Sequence, residues 1–236
     1  MTSPRTADRL IVALDFTAPG PALRTARQLR GTVHTVKVGS ALFTAGGPAI
    51  IRQLRTLGFA VMLDLKFFDI PNTVELSCRA AAALRVALLT VHARGGQEML
   101  EAAVRGSRQA ARALHVPAPR VLAVTVLTST SGAPSTTREV LALSQAAQAA
   151  GCDGVVASPL EVRAIRRRFG RRLRVLCPGI RPRDAVLGDQ RRVATPAQAL
   201  ADGADWLVVG RPITEARNPR AAARDIVQEM EERPVC

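Results

Sequence analysis

Short runs rich in valine, isoleucine and leucine recur along the chain with helix-like stretches between them, and this alternation restricts the fold more than any other feature. The runs are Leu10 to Asp15, Val33 to Gly39, Ala60 to Lys66, Ala87 to Ala93, Arg120 to Leu127, Asp153 to Ser158, Leu173 to Gly179 and Asp205 to Gly210. They are apolar almost throughout rather than at every second residue, the pattern of parallel strands covered on both faces. Eight such strands with helical segments between them, in a chain of 236 residues, predict an α/β fold of the (β/α)8 TIM-barrel type, with residues 1–236 forming a single domain. A doubly wound open sheet is the main alternative.

Helices are expected over Pro21 to Arg30, Glu98 to Leu114, Thr137 to Ala150, Pro159 to Phe169 and Pro196 to Asp202. Gly151 and Gly203 stand where helices stop, and Thr195-Pro196 reads as an N-cap followed by a first-turn proline. The polar stretch 179–192, rich in Pro, Gly, Arg and Asp, reads as a mobile loop after the seventh strand and a candidate lid.

The net charge of +14 asks for an anionic partner. Aromatic residues make up only 3% of the chain, and neither a stacking platform nor a recognition-helix motif accompanies the arginines, so specific nucleic-acid binding is not expected. The densest cluster, Arg166 to Arg168 with Arg171, Arg172 and Arg174, reads as the solvated end of a helix and the start of a strand. Cys78, Cys152, Cys177 and Cys236 lack metal-ligand spacing and read as free thiols of a cytoplasmic protein, three of them in apolar segments. The run Leu10 to Leu14 is too short for a signal peptide, and no segment approaches a membrane span.

Of the 33 basic residues only Lys37 and Lys66 are lysines. An ammonium can be tuned and can donate a proton, whereas a guanidinium cannot, so these two are the first candidates for chemistry. Polar residues gather at or just past the strand ends: Asp15, Lys37, Asp64 with Lys66, His92, Thr128-Ser129, Ser158, Gly179-Ile180-Arg181 and Gly210-Arg211. In a barrel these ends surround one pocket at the carboxyl-terminal face, where catalytic groups are found. Asp64, Lys66 and Asp69 form D-x-K-x-x-D, and residues two apart in a strand share a face, so Asp64 and Lys66 project into the same space. A carboxylate beside an ammonium favours its charged form, which suits a general acid. The glycines of Gly179-Ile180-Arg181 and Gly210-Arg211 leave backbone N–H groups open to an anion, and Arg211 adds a charge-assisted contact. His92 reads as a packed, hydrogen-bonded residue, and no ligand set calls for a metal.

These motifs together resemble the orotidine 5'-phosphate decarboxylase family in its short, bacterial form. The resemblance runs through Val12-Ala13-Leu14-Asp15, Val36-Lys37-Val38-Gly39, the specific block from Asp64 to Thr73, Val91-His92-Ala93, Leu127-Thr128-Ser129, Pro178-Gly179-Ile180-Arg181, Asp189-Gln190 and Val209-Gly210-Arg211. It implies decarboxylation of orotidine 5'-phosphate to UMP and CO2, the last step of de novo UMP synthesis, without metal or organic cofactor. Lys66 would protonate C6, flanked by Asp64 and Asp69, with Lys37 completing an alternating charged array. Asp15 and Lys37 would bind the ribose, Thr128 and Ser129 the pyrimidine region, Gly210 and Arg211 the phosphate, and Arg181 and Gln190 would belong to the closing loop. The resemblance also implies a homodimer in which Asp69 and Thr73 reach the neighbouring site, with Ile70 between them also at the substrate. Phe68 and Trp206 depart from residues frequent in the family.

Two other readings compete. A sugar-phosphate lyase or decarboxylase of the same barrel suprafamily shares D-x-K-x-x-D, but such enzymes use Mg2+ with an acidic residue at the end of strand two, where this chain has Lys37. A non-catalytic nucleic-acid- or phosphate-binding protein accounts for the charge but not for the motif.

Overall fold

The apolar runs become strands because both of their faces find cover. The computed structural model describes residues 6–127, 136–182 and 194–232. Its strands are β1 (Leu10–Ala13), β2 (Thr35–Gly39), β3 (Ala60–Phe67), β4 (Leu88–His92), β5 (Arg120–Val124), β6 (Gly154–Val156), β7 (Arg174–Cys177) and β8 (Trp206–Val209). Each pairs in parallel with the next and β8 pairs back onto β1, closing an eight-stranded barrel and excluding the open sheet. The helices are α1 (Pro19–Leu29), α2 (Ser40–Thr56), α3 (Pro71–Ala83), α4 (Gly96–Ala113), α5 (Thr136–Ala149), α6 (Val162–Phe169), α7 (Pro196–Ala201), α8 (Arg211–Thr214) and α9 (Pro219–Glu231). None of the described helices is long and apolar enough to cross a membrane.

Strand parity sorts the core into two layers. Ile11, Ala13, Met62, Leu88, Leu122, Val124, Val156, Leu176 and Val208 fill the barrel interior. Their neighbours Leu10, Val12, Val61, Leu63, Leu89, Val91, Leu207 and Val209 face outward into the layer shared with the helices. Full burial of side chains of this size stabilises by about 1.5–3 kcal/mol each, which is why the runs show no polar alternation.

Local signals act as expected at several helix ends. Thr195 Oγ1 accepts from the Gln198 N–H at 3.3 Å, with Pro196 in the first turn. Gly151 and Gly203 adopt φ of 79° and 109°, a region other residues enter at a cost. The helix expected from Pro159 begins instead as a short 3-10 turn, Pro159–Glu161, in which Ser158 Oγ accepts from the Leu160 N–H at 3.3 Å; α6 follows. Ser158 is thus a capping residue.

The arginine cluster differs from its expectation at one position. Arg167 and Arg168 are exposed, but the Arg166 side chain is only 12% exposed. It donates to the carbonyls of Gly203 (2.7 Å), Gly170 (2.9 Å) and Leu173 (2.7 Å) and pairs with Asp205, fastening α6 to the starts of β7 and β8. Cys78, Cys152 and Cys177 are buried free thiols, and burial pushes Cys78 and Cys152 up to about 12. Cys236 lies outside the described residues.

Helices α3 and α4 approach so closely that a Cβ on Gly106 would stand 2.4 Å from the carbonyl oxygen of Glu75. Gly→Ala inside a helix ordinarily gains about 1 kcal/mol. Here the overlap is with backbone, and Gly106→Ala is expected to reverse the sign, lowering stability by about 1–3 kcal/mol in chemical unfolding.

Candidate active site

Parity carries charge into the carboxyl-terminal mouth of the barrel. Along β3 the inward series that begins with Met62 continues with Asp64, and Lys37 sits beside Met62 in the register of β2. At Lys66 the strand breaks regularity: the pairing of β3 with β4 shifts between Leu63 and Phe67, and Lys66 takes φ of 51°. Such a conformation is uncommon outside glycine and persists only where surroundings enforce it. The enforcement comes from Thr90 on β4, whose Oγ1 accepts from the Lys66 backbone N–H at 3.0 Å and donates to Asp64 Oδ1 at 2.9 Å.

Four charged side chains result in one row. Lys37 Nζ lies 2.7 Å from Asp15 Oδ1 and 3.5 Å from Asp64 Oδ2, and Lys66 Nζ lies 2.9 Å from the same Asp64 oxygen. Burial pushes the Asp64 carboxyl upward, but Lys37, Lys66 and the hydrogen bonds from Lys66 and Thr90 outweigh it and hold the group below its ordinary value. Gly39 permits this packing, since a Cβ there would stand 3.1 Å from Lys37 Nζ and 3.2 Å from Asp15 Oδ1.

The row lines a cavity of about 500 Å³. Val124, Val126, Val156, Leu176 and Val208 give it apolar lining, and Gly179, Arg181, Gly210 and Arg211, just past β7 and β8, line it as well. Arg181 is buried, its Nη1 donating to the Ile180 carbonyl at 3.0 Å, and Ile180 bridges to Ala194. The cavity therefore brings together Asp15, Lys37, Asp64, Lys66, Arg181, Gly210 and Arg211. Thr128, Ser129 and Gln190 lie outside the described residues, as does most of the 179–192 loop.

Asp69, Ile70 and Thr73 do not line the cavity. Asp69 Oδ1 accepts from the Ile70 N–H at 2.7 Å beside the start of α3, and all three residues face outward or are largely exposed. His92 is a packed residue: its ring lies 5.3 Å from that of Phe68 and its Nδ1 accepts from the Arg94 N–H at 3.3 Å. Burial, then Arg94 and Lys66, lower its basicity. Sequence reasoning gave no role to Thr90 or Gly39. The equal parity of Thr90 with Leu88, an inward residue, was the one available signal.

An ammonium held by a buried carboxylate, facing an apolar wall and two arginines at the carboxyl ends of parallel strands, defines a barrel enzyme equipped for proton transfer on an anionic substrate. The profile of the family described as "Orotidine 5'-phosphate decarboxylase / HUMPS family" matches residues 8–226, and the chain belongs to this family. It is 51% identical to the orotidine 5'-phosphate decarboxylase of Halorhodospira halophila, over 94% of this chain and 95% of that protein. It is 47% identical to the enzyme of the same name from Moorella thermoacetica, over 95% and 92%. The crystal structure of orotidine 5'-phosphate decarboxylase from Lactobacillus acidophilus superposes with a TM-score of 0.81 at 36% identity, covering 95% of this chain and all of that one.

Two outcomes are expected from this geometry. Thr90→Val removes both hydrogen bonds while keeping the shape, and should lower kcat by about tenfold or more with a smaller effect on KM, with Thr90→Ser restoring most of the loss. Because the folded-state pKa of Asp64 is depressed, its contribution to stability is complete above the ordinary carboxylate value and is lost as pH falls below about 4. Unfolding curves of the wild type and Asp64→Asn measured from neutral to acid pH should therefore converge on acidification.

Proposed function

We propose that Lys66 is the acid of the reaction: the chain decarboxylates orotidine 5'-phosphate to UMP and CO2, and the Lys66 ammonium gives its proton to pyrimidine C6 as the C6–carboxylate bond breaks. The electron pair left on C6 is highly unstable in water. In a cavity with an apolar wall a fixed positive charge acts at higher strength and needs no reorganisation as negative charge develops. The observation that carries this reading is the 2.9 Å contact between Lys66 Nζ and Asp64 Oδ2, which aims the ammonium from a strained backbone position into that cavity.

Asp15 and Lys37 take the ribose, while Gly210 and Arg211 hold the phosphate, with Arg181 beside them. Thr128 and Ser129 at the pyrimidine, and Gln190 in the closing loop, rest on the family resemblance alone. Binding energy from the phosphate is then available to close the site around the reacting centre. The chemistry uses neither metal nor organic cofactor. Lys37 supports that assignment against a Mg2+-dependent sugar-phosphate enzyme, because its ammonium already stands between the Asp15 and Asp64 carboxylates that a cation would need.

The active form is a homodimer working in the cytoplasm, with Asp69, Ile70 and Thr73 completing the partner's site. Phe68 and Ile70, 61% and 66% exposed, and Leu76 on α3 form an apolar surface beside Asp69 that a second copy would cover.

The test is the ultraviolet absorbance change of orotidine 5'-phosphate in EDTA. Wild-type protein should convert it to UMP, Lys66→Ala should lose about 10³-fold or more in rate while still binding UMP, and Asp69→Ala should fail alone. Mixing the two inactive variants should restore about a quarter of wild-type activity through hybrid dimers with one intact site. Substantial turnover by Lys66→Ala would sink the acid role, and no recovery on mixing would sink the shared site.

A further inference from the structure

A second cavity, of about 690 Å³, lies at the opposite end of the barrel. Arg120, Arg174 and Trp206 are the first residues of β5, β7 and β8, Arg9 precedes β1, and Arg171 stands in the turn before β7; all five line it. Parallel strands put these starts at the amino-terminal face, away from Lys66 and from the proposed dimer surface.

The charge balance there is uneven. Four guanidiniums meet two carboxylates, Asp8 and Asp205. Asp205 is engaged by Arg166, by Arg174 at 3.3 Å and by the Val175 N–H at 2.7 Å. Arg9 donates from Nε and Nη2 to the backbone carbonyls of Asp205 and Ala204, neutral acceptors, and shares the Asp205 carboxylate's field with Arg166 and Arg174. Arg120 and Arg171 form no ion pair with any carboxylate among the described residues. Arg120 and Arg174 stack on Trp206, at 5.4 and 5.7 Å from the ring centroid, an arrangement that orients their planar donors.

We propose that this cavity binds a polyphosphate, the linked phosphate chain carried by inorganic tripolyphosphate or by a free nucleoside triphosphate, with Arg120 and Arg171 as its main ligands. Guanidiniums brought to one cavity from strand starts and the turns before them suit several linked anionic groups, each able to accept paired N–H donors. The recess is bounded by strand starts and closed below by the barrel core, a shape for a small ligand rather than for a nucleic-acid strand. The site is independent of the decarboxylase reading.

Trp206 is the only tryptophan and the chain has no tyrosine, so intrinsic fluorescence reports this cavity alone. Titration with tripolyphosphate at constant ionic strength is expected to give a saturable change in emission, matched by calorimetry. Arg120→Ala and Arg171→Ala should each weaken the midpoint by about tenfold, the loss of one charge-assisted contact, while Arg172→Ala and the decarboxylation rate of all three variants stay unchanged. ATP in place of tripolyphosphate separates the sources: an equal midpoint means that the phosphate chain alone is read, a tighter one that the nucleotide is the ligand. A non-saturating response, one equally strong in the variants, or a response only to polymeric nucleic acid would overturn the proposal.

Discussion

The candidate site depends on one buried carboxylate shared by two ammoniums. A charge removed from water costs several kcal/mol unless paired and hydrogen-bonded, and Asp64, 9% exposed, meets that condition through Lys37, Lys66 and Thr90 together. Each partner then imposes a demand of its own. Lys37 packs closely over Gly39, where a Cβ would stand 3.1 Å from its Nζ, Lys66 needs the β3 irregularity that turns its backbone to φ of 51°, and Thr90 needs the β3–β4 pairing that brings it across. The Thr90 hydroxyl that accepts from the Lys66 backbone also donates to the carboxylate that orients the Lys66 ammonium, which ties the precision of the site to the integrity of two strands.

The barrel uses its two ends for opposite electrostatics. At the carboxyl-terminal mouth positive and negative groups alternate within about 3.5 Å of one another, so charge is local and directed. At the amino-terminal face guanidiniums outnumber carboxylates and part of the positive charge has no partner among the described residues. The split follows side-chain chemistry. Arginine holds a fixed charge and a planar donor fork, suited to anchoring as in Arg166, whereas lysine can part with its proton. In a chain with 31 arginines, the two lysines stand where proton transfer is proposed.

The eight strands and the barrel were readable because parallel strands buried on both faces leave an unmistakable apolar record, and closure follows from their number and from the intervening helices. The D-x-K spacing predicted that Asp64 and Lys66 would share one space, and they meet at 2.9 Å, but Lys66 arrives there through the β3 irregularity, which strand periodicity does not foretell. Boundaries shifted where capping competed, as at Ser158, whose hydroxyl starts a 3-10 turn before α6. The solvated reading of the arginine cluster failed at Arg166 because sequence spacing says nothing of the carbonyls of Gly203 and Leu173, which converge on that side chain only when α6 packs under β7 and β8.

The sequence by itself determined the order of strands and helices, the inward parity of Asp64 and the family to which the motifs belong, since each rests on spacing along the chain. Only the tertiary structure decided that Thr90 bridges Asp64 and Lys66, that Gly39 leaves room for Lys37 and Asp15, and that Arg120 and Arg174 stack on Trp206 in a cavity that Arg9 and Arg171 also line. Those relations come from contacts between strands brought together by barrel closure, and distance in space across a closed sheet is not encoded in distance along the chain.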